Sequence, residues 1–295
     1  MHKNDVYVYN YTKLKIVNNK RGIYSTKKGF LKKIFAITLV GVMGLSLVSC
    51  GSKEDKLTSI KEKGELVVGL SADYAPYEFH ILDENGDDQI VGFDVEIAKE
   101  IAKDLGVKLT LQDMNFENLV GGVSTGKIDL AISGMTPNAK RKKSIDFSDI
   151  YYTSEHGILV RAEDKDKYKT FADLKGQKVG AQMGAIQADI AKENVEDGEV
   201  QLLSNVNDLI MSLKSGKIEA LVVELAVAEM IVQNNTELVI AEEKVKDETG
   251  GSAVGVQKGQ EALVEQINTT INRVKEEGLL SKFIIDANDL AGKQN

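Results

Sequence analysis

FENLVGGVSTGKIDLAISG, residues 116–134, is the stretch that decides the fold, because a second copy follows later in the chain. Residues 206–224, VNDLIMSLKSGKIEALVVE, align with it without gaps at an offset of 90 residues. Both copies contain Gly-Lys-Ile followed by an acidic residue, and both predict a helix, a glycine stop and an apolar strand. A chance match over so short a window is the alternative. The repeat predicts two lobes built on one plan.

Strands and amphipathic helices alternate along the chain, which is typical of α/β layers. One helix is predicted between Asp94, as its N-cap, and Gly106, as its stop. In α/β sheets, ligands bind where the carboxyl ends of the strands line a crevice. Ser133-Gly134 ends the strand of the first copy and Glu224 ends that of the second. We therefore expect these residues to face each other across a cleft.

Residues 1–49 predict a secretory signal. Lys27-Lys28 and Lys32-Lys33 precede an uncharged apolar stretch over 34–48, and the only cysteine is Cys50. The arrangement resembles the lipobox of bacterial lipoproteins, so we expect Cys50 to be lipidated and residues 50–60 to form the lipidated N-terminus and a tether on the extracellular face of the cell membrane. A transmembrane anchor is the alternative, but the stretch is shorter than the roughly 20 residues of a span. The first 26 residues are unusually long and tyrosine-rich for the charged region of a signal, and a translation start assigned too far upstream is the alternative explanation.

The charge becomes strongly negative without this leader. The whole chain has a formal net charge of −8, and residues 1–49 carry nine Lys/Arg and one Asp, which leaves −16 for the rest. So acidic a protein is a poor nucleic-acid binder. Outside the leader, His80 and His156 have no cysteine near them, and there is no P-loop or GxGxxG run. We expect neither a metal nor a cofactor.

The segment ISGMTPNAKR, residues 132–141, carries groups suited to a carboxylate. Thr136-Pro137 predicts the N-cap and first position of a helix, whose free N–H groups favour an anion. Four cations follow at 140–143, where the helix dipole disfavours them. We interpret the three lysines as solvated and Arg141 as a candidate ligand for a carboxylate. Arg141 on one wall of the cleft and Glu224 on the opposite wall would suit the carboxylate and the ammonium of an α-amino acid.

Four ordered motifs make the chain similar to the amino-acid-binding proteins of ABC importers, family 3 of the bacterial solute-binding proteins, in lipoprotein form. They are SADYAPYEF at 71–79, VGFDVEIAKEIAKDLG at 91–106, ISGMTPNAKRKKSIDFS at 132–148 and GQKVGAQMGAIQ at 176–187. The resemblance covers nearly all of residues 57–285. It implies a two-lobe, type II periplasmic-binding-protein-like fold, with lobe 1 over 61–153 and 252–291, lobe 2 over 154–251, and hinges near 152–155 and 250–253.

The resemblance also implies a ligand site drawn from both lobes. Arg141 would bind the α-carboxylate with its planar fork, and Glu224, where the family usually has aspartate, would bind the α-ammonium. Ile186 stands where many members have a hydroxyl, so only a backbone N–H remains there. The implied ligand contacts are Ser71, Tyr74, Phe116, Ser133, Gly134, Thr136, Arg141, Gln182, Ile186 and Glu224. The alternatives are that Tyr74 and Phe116 are core aromatics and that Glu224 is a solvated carboxylate.

The predicted function is binding of a polar amino acid by a monomer, which delivers it to the permease and ATPase subunits of an importer. Ser71, where some binders of cationic ligands have an acid, argues mildly against an Arg, Lys or His ligand, unless Glu155 or Glu78 compensates; Glu78 is expected to be structural. Two other classes stay open. One is a dehydratase-like enzyme that uses Glu224 or Glu117 as acid or base, and the other is a surface sensor or adhesin.

Overall fold

A computed structural model describes residues 55–246 and 249–293, together with the backbone of residues 6–9. The predicted signal, apart from 6–9, and the predicted lipidation site at Cys50 lie outside the described residues. No helix in the described ranges is long and apolar enough to cross a membrane.

Fourteen strands and eight α-helices are described. The strands are β1 (Val6–Tyr9), β2 (Glu65–Leu70), β3 (Asp73–Tyr74), β4 (Glu78–Leu82), β5 (Asp88–Val91), β6 (Lys108–Asp113), β7 (Leu130–Ala131), β8 (Ile145–Tyr152), β9 (Glu155–Arg161), β10 (Lys178–Gln182), β11 (Glu199–Leu203), β12 (Ala220–Glu224), β13 (Leu238–Lys246) and β14 (Ser252–Gln257). The helices are α1 (Lys56–Lys63), α2 (Phe93–Leu105), α3 (Leu119–Ser124), α4 (Ile186–Asn194), α5 (Val206–Lys214), α6 (Leu225–Asn234), α7 (Glu261–Glu276) and α8 (Leu279–Ala291).

Two large sheets define the two lobes. The sheet of lobe 1 has the strand order β1-β6-β2-β7-β14-β8, and that of lobe 2 has the order β11-β10-β12-β9-β13. A small sheet, β3-β4-β5, belongs to the chain segment between β2 and α2. The chain passes to lobe 2 between β8 and β9 and returns between β13 and β14. This is the two-lobe α/β fold that the sequence predicted.

The two copies of the repeat occupy equivalent places in the two sheets. In lobe 1, β2 runs parallel to β7, and a Cβ added to Gly69 would lie 2.4 Å from Ile128 Cδ1. In lobe 2, β10 runs parallel to β12, and a Cβ added to Gly180 would lie 2.6 Å from Ile218 Cδ1. Each isoleucine of the Gly-Lys-Ile run therefore packs directly on a glycine of the neighbouring strand. This shared contact agrees with two lobes built on one plan.

Helix α2 has the predicted stop at Gly106, but the prediction that Asp94 caps it is wrong. Gly92 occupies the N-cap position, and Asp94 is fully buried in the first turn. The Asp94 carboxylate accepts hydrogen bonds from Gly134 N at 2.8 Å and from Tyr151 Oη at 2.8 Å. These donors come from distant parts of the chain, so local sequence could not reveal them.

The predicted helix after Pro137 is also wrong. Only a 3-10 turn, Arg141–Lys143, precedes β8. Asn138 Oδ1 accepts a hydrogen bond from Arg141 N at 2.9 Å, and such a local side-chain bond competes with helix formation. The chain then enters β8 at Ile145. A carboxylate site in this segment therefore depends on the Arg141 side chain and not on a helix N-terminus.

Helices α1, α6 and α8 and the β4-β5 hairpin were not predicted. Helix α1 begins at Lys56, inside the range assigned to the tether, and its Ile60 is buried in the core of lobe 1.

Candidate functional site

One small cavity between the lobes brings most of the predicted ligand contacts together. Its lining contains eight of them and two further residues: Tyr74, Phe116, Ser133, Gly134, Thr136, Arg141, Gln182 and Ile186, with Ala185 and Gln187. The cavity volume is about 10 Å³, room for one water molecule. An amino acid fits only if the lobes or these side chains move apart.

The two remaining predicted contacts lie beside this cavity. Ser71 N donates to Ser133 Oγ at 3.1 Å, and Glu224 N donates to Tyr74 Oη at 3.4 Å. A larger open groove, of about 1010 Å³ and lined by residues of β8 and α7, contains none of the predicted contacts.

The Arg141 side chain bridges the lobes. Its Nη1 donates to Thr136 O at 2.7 Å, and its Nη2 donates to Gly184 O of lobe 2 at 3.0 Å. Its Cζ lies 5.1 Å from the centroid of the Phe116 ring, a cation–π contact. Arg141 is only 6% exposed. A guanidinium fixed in this way presents a planar fork of donors to the cavity, which suits a carboxylate.

Glu224 is a buried carboxylate at the end of β12, so the alternative of a solvated carboxylate is wrong. It is 4% exposed, and one of its oxygens accepts a hydrogen bond from Tyr77 Oη of lobe 1. Tyr77 was not predicted as a site residue, although it lies within the SADYAPYEF motif. Tyr74 and Phe116 are each 7% exposed, so both are core aromatics and cavity-lining residues at once.

Helix α4 provides the lobe 2 wall. Ile186 is its first residue, and no side chain caps its N-terminus. Gln187, which sequence reasoning missed, donates from Nε2 to Tyr74 Oη at 3.2 Å and lies 3.3 Å from His156 Nδ1. The Gln187 amide therefore links α4 to the aromatic wall of lobe 1.

Asp73 is the most important residue that the sequence analysis missed. Its carboxylate accepts hydrogen bonds from Ser71 Oγ at 3.0 Å, from Gln182 Nε2 at 3.5 Å and from Val206 N at 2.7 Å. Burial raises the pKa of Asp73 from 3.8 to about 6, and the nearby Asp113 carboxylate adds to the increase. No ion pair to Asp73 occurs among the described residues. The available signal was an acid two positions after Ser71 in a motif already singled out.

A second, acidic cavity of about 750 Å³ adjoins Ser71 and Asp73. It is also lined by Asp113 and Glu117, with His80 and Lys127 as its basic side chains. Ser204 Oγ donates to Glu117 Oε1 at 2.7 Å, so this cavity also spans both lobes. The electrostatic environment beyond Ser71 therefore favours a cation.

Comparison with known proteins gives this geometry its context. Residues 66–285 match the family described as bacterial extracellular solute-binding proteins, family 3. The chain belongs to this family. The resemblance noted from four sequence motifs is thereby confirmed.

Individual relatives of this solute-binding protein cover most of its length. The arginine-binding extracellular protein ArtP of Bacillus subtilis (strain 168) is 37% identical over 258 residues, 86% of this chain and 96% of ArtP. The L-cystine-binding protein TcyJ of Escherichia coli (strain K12) is 32% identical over 248 residues, 82% of this chain and 91% of TcyJ.

A solved structure is similar throughout both lobes. It is the amino acid ABC transporter substrate-binding protein AbpA of Streptococcus pneumoniae Canada MDR_19A bound to L-arginine, with a TM-score of 0.77 and 40% sequence identity. The match covers 81% of this chain and all of AbpA.

These relatives are solute-binding proteins, and nothing in the comparisons favours the enzyme or adhesin alternatives. Within the part of the chain that the structure describes, no group of three or more His, Cys, Asp or Glu side chains could hold a metal ion.

Proposed function

We propose that this solute-binding protein captures a cationic amino acid, arginine, between its lobes and delivers it to an ABC importer. The observation that carries the proposal is that Arg141 lines the interlobe cavity while two acidic residues lie beside it: Glu224, which bonds to Tyr74, and Asp73, which bonds to Gln182. The arginine-binding relatives support the same ligand.

The backbone end of the ligand would lie between Arg141 and Glu224. Arg141 binds the α-carboxylate in a bidentate manner, replacing its contacts to backbone carbonyls. Glu224 accepts from the α-ammonium, and Thr136 and Ser133 complete this end. The N–H of Gly134 already donates to Asp94, so Gly134 contributes through its carbonyl or its small size.

The side chain of the ligand would extend past Tyr74 and Phe116 towards Ser71, Gln182 and Asp73. This revises the expectation that Ser71 disfavours a cationic ligand, because Asp73 supplies the carboxylate two residues further on. A guanidinium beside Asp73 compensates the burial that raises the Asp73 pKa. Its planar donors also match carboxylate geometry, which a lysine ammonium does not.

Closure of the lobes makes ligand binding recognisable to the importer. We propose hinges near 152–155 and 250–253 that join lobe 1, over 61–153 and 252–291, to lobe 2, over 154–251. Ligand contacts on both lobes stabilise the closed form by their differential affinity for it, and the importer recognises that form.

Location and anchoring complete the proposal. The family is extracellular, and we propose that Cys50 carries lipid that holds a monomeric protein at the outer face of the cell membrane. Replacement of Cys50 by alanine should release the protein into the medium, which cell fractionation can measure. Radiolabelled palmitate should be incorporated into the wild-type protein and not into this variant.

A calorimetric titration of residues 51–295 with each common amino acid and cystine tests the ligand. Arginine should bind with micromolar or better affinity, corresponding to about 8 kcal/mol or more. Stronger binding of glutamine or cystine would overturn the cationic assignment, and absence of binding by any of them would overturn the function.

A further inference from the structure

Two acidic side chains lie directly behind the cleft, in a place where neither contacts the proposed ligand. Glu78 begins β4 and Asp94 lies in the first turn of α2, and both are 0% exposed. Together they hold Ser133 and Gly134, two lining residues of the cavity. No cation of the described residues pairs with either carboxylate, and two buried carboxylates of this kind require an explanation.

The hydrogen bonds of this pair leave one oxygen unsatisfied on each residue. Glu78 Oε1 accepts from Ser133 Oγ, and Asp94 Oδ2 accepts from Gly134 N and from Tyr151 Oη. Among residues 55–246 and 249–293, Glu78 Oε2 and Asp94 Oδ1 are buried and have no hydrogen-bond partner when both groups are treated as acceptors. Ser133 and Gly134 are consecutive, so the carboxyl groups that bond to them are neighbours, and a hydrogen bond between these groups is among the causes that shift the pKa of each. One proton between them would satisfy both orphaned oxygens.

We propose that Glu78 is a neutral carboxylic acid whose Oε2–H donates to Asp94 Oδ1, and that this pair positions Ser133 and Gly134 for the ligand. This inference rests on the proposed function. Glu78 Oε1 then serves as a carbonyl acceptor that fixes the hydroxyl proton of Ser133. Ser133 Oγ also accepts a hydrogen bond from Ser71 N, and its second lone pair can accept one from an α-ammonium.

The surroundings assign the proton to Glu78. Burial raises the pKa of Glu78 well above its ordinary value, and the Asp94 charge raises it further. Burial also raises the pKa of Asp94, to about 6, against the opposing effect of its Gly134 and Tyr151 donors. Asp73 is the other charged group that acts on Glu78. Burial raises the pKa of Tyr74 and of Tyr151, and a charge on Glu78 would raise both pKa values further.

The direction in which arginine affinity changes with pH follows from the burial of Glu78 beside Asp94. At neutral pH the pair holds one proton and one negative charge. Loss of that proton at alkaline pH places two buried charges side by side, which disfavours the arrangement that holds Ser133 and Gly134. Arginine affinity should therefore fall as pH rises through the pKa of Glu78.

The matched variants are Glu78→Gln and Asp94→Asn. A glutamine keeps an acceptor for Ser133 and an amide donor for Asp94, so arginine affinity at pH 7 should stay within about threefold of the unchanged protein. An asparagine at position 94 removes the charge that accepts two donors, so affinity should fall by about tenfold or more. The alkaline loss should be absent from Glu78→Gln. Comparing the two dissociation constants at each pH cancels the ionisation of arginine itself.

An infrared measurement tests the proton without any ligand. The spectrum of the unchanged protein at pH 7 should contain the carbonyl stretch of a protonated carboxylic acid that Glu78→Gln lacks. Absence of that band overturns the proposal, as does a pH profile of arginine binding that Glu78→Gln leaves unaltered. If arginine does not bind at all, the function fails while the infrared band still decides the protonation of Glu78.

Discussion

Arg141 and the three lysines beside it carry the same charge in different environments. Lys140, Lys142 and Lys143 are exposed, whereas Arg141 is buried against Phe116 with two backbone carbonyls as acceptors. The sequence interpretation had separated them in the same way. Substitutions of single residues are therefore the most direct test of the ligand contacts.

We predict that Arg141→Ala abolishes measurable arginine binding. Removal of one partner of a buried charge pair costs roughly 2 to 5 kcal/mol, and the Phe116 contact is lost as well. Titration calorimetry measures the effect, with the exposed Lys143→Ala as matched control, which should bind normally. Near-native affinity in Arg141→Ala would rule out its role at the carboxylate.

We predict that Asp73→Asn stabilises the ligand-free protein at pH 7.5 and weakens arginine binding. Because the Asp73 pKa is raised from 3.8 to about 6, its contribution to stability is present below pH 4 and lost as pH rises through 6. The penalty above pH 6 is about 2 kcal/mol after allowance for partial exposure.

Thermal unfolding at pH 4 and pH 7.5 measures the first effect, which should be confined to the higher pH. Calorimetry measures the second, and affinity for arginine should fall about tenfold or more while glutamine, with a neutral side chain, is unaffected or binds better. Equal loss for both ligands would show that Asp73 acts only through the fold.

Helix α2 has a glycine at one end that is required by the residues packed against it in the fold. Gly92, its N-cap, has φ 132°, and a Cβ there would lie 2.0 Å from Tyr77 O. Gly106, at the other end, has φ 71°, and in the part of the chain that the structure describes no atom lies within 4 Å of such a Cβ. The two ends of one helix thus form a matched pair.

We predict that Gly92→Ala destabilises the protein by more than about 3 kcal/mol, since backbone strain and a backbone clash add. Gly106→Ala should cost about 1 kcal/mol, from the left-handed conformation alone. Urea unfolding measures both. Equal destabilisation by the two variants would contradict the role of the Tyr77 carbonyl.

The two lobes contact each other through side chains on both sides of the cleft. Asp73 and Glu117 of lobe 1 bind the 204–206 segment of lobe 2, and Arg141 reaches Gly184 O. The two chain crossings, which we propose as hinges, also lie against each other, since a Cβ on Gly251 would lie 2.1 Å from Tyr152 O. We therefore expect the proposed closure to depend on how closely the crossings pack.

We predict that Gly251→Ala forces the crossings apart and weakens arginine binding about tenfold, or 1.4 kcal/mol. Gly250→Ala is the control, because Gly250 also has a positive φ, 90°, but its added Cβ meets no atom of the described residues within 4 Å. Small-angle scattering should show less arginine-induced compaction for Gly251→Ala than for Gly250→Ala. Equal compaction in both variants would argue against tight packing of the crossings as a condition of closure.

Local sequence patterns were sufficient to predict the fold class, the repeat and the family. Helix periodicity, glycine stops and ordered motifs are local properties, so Gly126-Lys127-Ile128 and its later copy could be recognised without coordinates. The same local reasoning singled out Arg141 and Glu224, although their roles at a ligand remain a prediction.

Only the tertiary structure decided how these residues are used. Asp94 caps no helix because distant donors, Gly134 N and Tyr151 Oη, take its carboxylate. Asp73 was overlooked because its burial and its bond to Val206 N depend on the other lobe. Hydrogen bonding and desolvation between residues far apart in sequence fix the charge and orientation of a side chain, and neither property is present in the local pattern.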